Sequence, residues 1–292
     1  MEEGIIVKAL SGYYYVENSQ GTYQCRGRGL FRKQKINPLV GDRVKFEIDQ
    51  NEEGYVYEIS ERRNALIRPP VANIDQSFLV FSAEEPAFSS LLLDRFLVHM
   101  EAMDIESVII VNKIDLADES TKQELNQYKE NYERCGYPFF FLSGTKGEGV
   151  QQLTPLLEQK LTIAAGQSGV GKSTILNSLV PSLDLKTGEI SKHLGRGKHT
   201  TRHVELVRMY GGLVADTPGF SSLDFQDISE NNLDICFPEM RERMPACKFR
   251  GCTHRKEPGC AVKEAVEAKD IPNYRYDHYV TFYEEILNQR RY

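Results

Sequence analysis

The order of two short motifs constrains this chain more than any other feature. Asn112-Lys113-Ile114-Asp115 lies ahead of Gly166–Ser173, which reads GQSGVGKS. The second motif fits the phosphate-binding pattern G-x-x-x-x-G-K-[ST]. It follows the apolar run LTIAA and precedes the helix-like KSTILNSLV, so the strand, loop and helix that the pattern needs are all present. Its glycines let the backbone close on phosphate groups, with successive N–H groups and a helix N-terminus facing the anion. Lys172 then reaches the β- and γ-phosphates, and the Ser173 hydroxyl sits on Mg²⁺. The first motif closes the apolar run SVIIV. A carboxylate at Asp115 can accept from guanine N1–H and the 2-amino group, and adenine offers neither donor there. Leaving such a carboxylate unpaired discriminates by ~10⁴-fold. Asn112 is placed to tie the loops together and reach the base, and the Lys113 stem to pack on its face. Ser143-Gly144 follows the run PFFFL and is a weaker candidate for a backbone donor to guanine O6, because Gly stands where Ala is usual.

A third motif, Asp216 to Gly219 (DTPG), ends the run GGLVA, with Thr200-Thr201 between it and the phosphate loop. Asp216 can hold Mg²⁺ through water, and the Gly219 N–H can meet the γ-phosphate. Thr201 is the favoured switch ligand, on Mg²⁺ only when the γ-phosphate is present. The expected nucleotide-binding set is therefore Asn112, Lys113, Ile114, Asp115, Ser143, Gly144, Gly166, Gln167, Ser168, Gly169, Val170, Gly171, Lys172, Ser173, Thr174, Asp216 and Gly219. Familiar GTP-binding chains run phosphate loop, switch threonine, DxxG, then NKxD; here NKxD comes first. The same sheet forms if the chain is cut between DxxG and NKxD and the old ends are joined, a change that close surface termini tolerate. The chain then leaves this fold just after Gly219, so whatever follows connects directly to the nucleotide switch.

The surroundings divide the chain into three. Residues 1–69 carry five short runs rich in β-branched and aromatic residues (GIIVKAL, GYYYVE, GTYQCRG, DRVKFEI, GYVYEI), punctuated by Gly-containing turns. Five strands suffice for a small closed barrel, either an OB-fold or an SH3-like barrel, and periodicity does not separate them. Pro69-Pro70 marks a stiff boundary. Residues 70–222 alternate near-continuous apolar strands with helical patterns, which predicts a mostly parallel α/β sheet covered on both faces; HVELVRM reads as the antiparallel hairpin partner of GGLVADT. Leu92, Leu93, Phe96, Leu97 and Met100 form one helical face behind Ser89-Ser90. Residues 223–292 show helices around a Cys/His loop, with a core stripe of Tyr276, Tyr279, Phe282, Tyr283 and Ile286.

Of six cysteines, Cys25, Cys135 and Cys236 are scattered and read as packing residues. Cys247, Cys252, His254 and Cys260 form C-x₄-C-x-H-x₅-C, a closed tetrahedral set for one structural Zn²⁺ with no open position for water. The net charge of −6 excludes a wholly basic nucleic-acid coat, but basic runs stand out at Cys25–Lys35, Ser191–His203 and around Lys248, Arg250, Arg255 and Lys256. Arg26, Arg28, Arg32, Lys33, Arg250 and Arg255 are the candidate RNA-phosphate contacts. No apolar run reaches the roughly 18 residues of a membrane span, and the acidic start MEEGIIVKAL lacks a basic leader region. A cytoplasmic monomer without membrane contact is expected.

Permuted motifs, a β-rich N-terminal module and a C-terminal Cys/His cluster resemble the RsgA (YjeQ/YloQ) family over essentially the whole chain. The resemblance implies an OB-fold, a permuted GTPase core and a helical zinc-binding domain with the same four ligands. It also implies the small ribosomal subunit and its rRNA as partners, GTP and GDP as ligands, and GTP hydrolysis stimulated by that particle late in subunit maturation. Ras-like enzymes orient the attacking water with a glutamine just after DxxG; here that residue is Phe220. Slow intrinsic turnover follows, and His199, beside Thr200-Thr201, is the internal candidate for the missing catalytic group. Two rival readings stay open: a non-hydrolysing guanine-nucleotide sensor, and a zinc hydrolase, which the closed Cys₃His set opposes.

Overall fold

The computed structural model describes residues 1–29, 31, 36–49, 53–67, 69–180, 204–216 and 223–289, with only the backbone of Asp216. Five strands, β1 (Glu2–Leu10), β2 (Tyr13–Glu17), β3 (Thr22–Gly27), β4 (Arg43–Ile48) and β5 (Gly54–Ile59), match the five apolar runs. Their order is β1-β2-β3-β5-β4, closed by β1–β4 pairing, with β3 and β5 parallel. That closure gives the OB topology and settles the choice that periodicity left open. Ile6, Val16, Cys25, Phe46 and Val56 fill the barrel at 0% exposure.

Pro69-Pro70 is not a free spacer. It joins β6 (Ala65–Leu66) to β7 (Val71–Ala72), a hairpin fastened to the barrel by Ala72 N–H on the Val40 carbonyl (2.8 Å) and the Asn73 amide on the Gly41 carbonyl (3.0 Å). Fully buried Asp42 accepts two bonds from Arg62, at 2.7 and 2.8 Å, and one from the Leu39 N–H.

The central sheet has the order β10-β9-β8-β11-β13-β12. Strands β8 (Gln76–Ser82), β9 (Glu106–Asn112), β10 (Phe139–Phe141), β11 (Leu161–Ala165) and β13 (Gly212–Asp216) are parallel, and β12 (Glu205–Met209) pairs antiparallel with β13. Every residue of β8 and β11 is buried, as expected of strands covered on both faces. Strand β11, which feeds the phosphate loop, sits between β8 and β13, so the motif arising in mid-chain lies in mid-sheet. Sheet and barrel are continuous: β12 pairs with β1 at Glu205 and Lys8, whose side chains form a 2.8 Å ion pair.

Helix α1 (Ser90–Ala102), N-capped by the Ser89 hydroxyl, has two working faces. Leu93, Phe96, Leu97 and Met100 join the core that β8 and β9 share. Val98 belongs instead to the C-terminal core, with Phe225, Phe237, Tyr279, Phe282 and Ile286. Helix α2 (Glu119–Arg134) covers the far edge, α3 (Thr154–Leu157) precedes β11, and α4 (Lys172–Leu179) follows the phosphate loop. The C-terminal region contributes α5 (Pro238–Arg241), α6 (Ala261–Glu267) and α7 (Asn273–Gln289).

Besides its chain connection, this region is attached through side chains of α1. Arg275 of α7 is fully buried; it donates to Asp94 of α1 at 2.6 Å and to both oxygens of Glu239 of α5 at 2.7 and 3.0 Å. Asp94 also accepts from the Tyr132 hydroxyl of α2 at 2.6 Å, and His278 Nδ1 lies 2.6 Å from its other oxygen. Burial works against the Arg275 charge, but Asp94 and Glu239 more than offset it, so its pKa is raised well above normal. A second clasp holds the chain emerging from the switch: Arg95 donates to the Leu223 carbonyl at 3.3 Å, pairs with Glu285 of α7, and lies over the Phe225 and Phe282 rings.

Candidate functional site

The nucleotide-binding motifs converge on the side chain of Asn112, at the end of β9. Its amide nitrogen donates to the Val170 carbonyl in the phosphate loop at 2.8 Å, and its oxygen accepts from the Gly144 N–H at 2.8 Å. This one side chain therefore joins three segments far apart in sequence. Two glycines make the fit possible. A Cβ at Gly171, at φ +96°, would stand 2.2 Å from the Asn112 amide nitrogen; one at Gly166, at φ +140°, would stand 2.0 Å from the Val80 carbonyl oxygen. Between them Gln167, Ser168 and Gly169 are at least partly open to solvent, while Val170 is buried as the loop's anchor. Ser173 and Thr174 lie in the first turn of α4, whose N-cap residue Gly171 has no side chain to compete for the free amides.

Lys172 curls back over the loop and donates to the Gly166 and Gln167 carbonyls at 2.9 and 2.7 Å. Burial pushes its pKa down to about 8. No acid among the described residues neutralises it, so an incoming phosphate is the partner that would restore its charge. At the other end, Asp115 has a buried Oδ1 with no hydrogen-bond partner among the described residues. Its Oδ2 is 3.5 Å from Lys146. The neighbouring Ser143 side chain and Lys146 hold its carboxyl below the usual range despite partial burial. An ionised carboxylate with one orphaned buried oxygen suits the two donors of guanine. Lys113 adopts a left-handed conformation (φ 60°), its ammonium anchored 2.5 Å from the Glu85 carbonyl, and Ile114 opens the short turn that carries Asp115.

Of the Ser143-Gly144 pair, the Gly144 N–H is engaged by Asn112 and the Ser143 N–H by the Glu148 carbonyl. Lys146 was not singled out by sequence, because no spacing rule ties it to Asp115. The side chain of Asp216, together with His199, Thr200, Thr201, Gly219, Phe220, Arg32 and Lys33, lies outside the described residues.

The second site gathers Cys247, Cys252, His254 and Cys260, whose ligand atoms all lie within 4.8 Å of one another. His254 Nδ1 faces the sulfurs, 3.3 Å from Cys260 Sγ and 3.7 Å from Cys247 Sγ. Its buried Nε2 points at Asp234 Oδ2, 3.5 Å away. A carboxylate behind the second ring nitrogen fixes the tautomer of a metal-bound histidine. The donor set and this backing fit one Zn²⁺. Tyr279 and Tyr276 hydroxyls hold the Thr253 and His254 carbonyls at 2.8 and 2.7 Å. Burial raises the pKa of Glu257, but bonds from the Thr253 hydroxyl and N–H and from the Glu257 and Arg255 N–H groups win and bring it to about 2. Neither Asp234 nor Glu257 was signalled by ligand spacing, though Glu257 is the one acid inside the basic loop. Arg255, expected to face RNA, is committed to Glu284 at 3.0 Å and to the Tyr283 ring; Arg250 is exposed.

A P-loop between β11 and α4, joined through Asn112 to an NKxD turn that precedes it in the chain, defines a circularly permuted GTPase with an OB-fold at one end and a Cys/His-bearing helical region at the other. The family model described as RsgA GTPase matches residues 59–226, and the one described as RsgA N-terminal domain matches residues 3–56. Proteins named small ribosomal subunit biogenesis GTPase RsgA are similar throughout. That of Halalkalibacterium halodurans is 56% identical, covering 100% of this chain and 99% of its own; that of Bacillus subtilis is 55% identical, covering 99% of each. Among solved structures, YloQ, titled a circularly permuted GTPase, superposes with a TM-score of 0.87 at 49% identity over 99% of this chain and 96% of its own. YjeQ from Thermotoga maritima gives 0.87 at 37% identity over 98% of each. The chain belongs to the RsgA GTPase family and is a GTP hydrolase.

Proposed function

We propose that this GTPase binds the small ribosomal subunit and its rRNA in the cytoplasm, as a monomer, and hydrolyses GTP in response to that particle late in subunit maturation. The observation that carries the reading is the pair of hydrogen bonds that joins Asn112 to Val170 and Gly144 and so brings the permuted segments together, which supports one guanine-nucleotide site. The names of full-length relatives support the particle. The working division is 1–69, 70–222 and 223–292. In the nucleotide site, Asp115 reads guanine, Lys172 and the loop amides from Gly166 to Thr174 hold the phosphates, and Asp216 and Gly219 face the γ-phosphate. Ser173 and Thr201 would hold Mg²⁺, which would supply positive charge to the phosphates. Zn²⁺ on Cys247, Cys252, His254 and Cys260 would be structural.

Phe220 has no group to orient water, so His199 is assigned that role on the particle. The deciding experiment measures single-turnover GTP hydrolysis with and without isolated small subunits. Stimulation is expected, and a rate unchanged by saturating subunits refutes the reading. His199→Ala should keep GTP-dependent subunit binding while losing the stimulation. Normal stimulated turnover in that variant moves the catalytic group to the particle.

A further inference from the structure

The loop between the first two zinc ligands, Cys247 and Cys252, carries a feature that zinc binding does not require. Lys248, Phe249, Arg250 and Gly251 are all exposed, and Phe249 is the only exposed phenylalanine among the described residues, at 45%. The C-terminal core has no need of it: Phe225, Phe237, Tyr279 and Phe282 already fill that core at 0–2% exposure. The loop is not slack, either. The Lys248 N–H donates to the Gly259 carbonyl at 3.0 Å, Gly251 makes a left-handed turn at φ 68°, and both ends belong to the Cys/His cluster.

Charge selects the partner. No acid occurs from Cys247 to Lys256, and the following Glu257 is turned inward onto backbone N–H groups. The Lys248 ammonium lies 5.6 Å from the Phe249 ring centroid, and Arg250, the next residue, is exposed. A rigid aromatic between two cations matches a base between two phosphates. Paired A-form RNA hides its base faces, whereas unpaired bases offer them for stacking on aromatic side chains.

We propose that Phe249 is a base-stacking residue that takes an unpaired nucleobase of single-stranded RNA, with Lys248 and Arg250 on the flanking phosphates. The proposal rests on the rRNA reading given above and deepens it.

The chain contains no tryptophan, so Phe249→Trp installs a single indole at the tip. The full-length zinc-loaded variant is titrated with small subunits, with a single-stranded purine-rich oligoribonucleotide, and with a duplex of the same sequence. Quenching that saturates on the subunit and the single strand, but not on the duplex, is expected. Phe249→Ala should weaken subunit binding roughly five- to 150-fold, the range for one lost stacked base, with one zinc per chain retained. Tyr or Trp at 249 should restore binding, and Leu should not. An unchanged indole signal on a subunit that the unsubstituted protein binds overturns the proposal. So does a blue shift without quenching together with rescue by Leu, which marks an apolar protein pocket. If the unsubstituted protein does not bind the subunit, the ribosomal reading fails, and the oligoribonucleotide alone decides: quenching by the single strand supports stacking, and no response overturns it.

Discussion

Asp115 and Asp94 are both shielded from water, and they are in opposite states. Asp94 has Arg275 and Tyr132 on one oxygen and His278 on the other. Asp115 has a buried oxygen with no hydrogen-bond partner among the described residues and a lysine at 3.5 Å from the other. The cations repeat the contrast. Arg275 is paired to two carboxylates, whereas Lys172 has, among the described residues, only loop carbonyls and a pKa pulled down to about 8. An unpaired buried polar group costs free energy unless something completes it. The nucleotide loops therefore hold groups that a ligand must complete, and the C-terminal junction holds groups that complete one another. Polar burial alone would rank the junction first as a functional centre; satisfaction reverses the order.

The largest effect that can break this contrast is at Asp115. Asp115→Asn replaces an acceptor of two guanine donors with a group that can donate. The preference for guanine over xanthine nucleotides should shift on the order of 10⁴-fold toward xanthine. Competition against a fluorescent guanine nucleotide measures it, and an unchanged GTP affinity removes Asp115 from the base site.

Next comes the closed side. Arg275→Met should destabilise the protein by about 3–5 kcal/mol, because Asp94 and Glu239 would be left buried without a counter-charge. Urea unfolding reads this directly. A loss below about 1 kcal/mol would mean that the junction relaxes to admit water, and that the network is not the clasp described.

Much of this was legible in the sequence because it rests on local pattern. The five barrel runs, the alternating β and α segments, the permuted motif order and the Cys/His spacing all depend on neighbours in the chain. Barrel topology did not, since the parallel β3–β5 pairing and the β1–β4 closure depend on which strands meet in space. The junction was illegible for the same reason. Asp94 sits within an apolar helical stripe, and Glu239 and Arg275 read as ordinary surface charges until three helices bring them together. Asp234 and Lys146 likewise act across turns with no fixed spacing.

The zinc loop tests whether a backing carboxylate counts with the ligands. Asp234→Asn keeps size and polarity but removes the charge behind His254 Nε2. Zinc affinity, measured by competition with a chromogenic chelator, should fall roughly 10–100-fold, while one zinc per chain still binds at saturation. Guanine-nucleotide affinity should stay within about threefold, since sites this separate behave additively. Equal zinc affinity would place Asp234 with the packing and not with the metal.

The smallest effect sharpens the contrast most, because it needs no mutation. Lys172 in the nucleotide-free protein has a pKa of about 8, depressed by burial with no carboxylate among the described residues to oppose it. A bound phosphate raises that pKa, so binding favours the protonated form. Affinity for GDP should then be fully present below pH 8 and fall as pH rises through the free-protein value, by up to about tenfold per unit for a single linked proton. Calorimetry in two buffers of different ionisation enthalpy should show uptake of up to one proton on binding near pH 8.5 and little at pH 6.5. Arg275 predicts the opposite for the junction. Its pKa is raised well beyond this window, so stability of the C-terminal region should show no loss assignable to it between pH 7 and 9. If GDP affinity is instead flat across that range and no proton is taken up, Lys172 is already fully charged before phosphate arrives, and the nucleotide loop is as complete in itself as the junction.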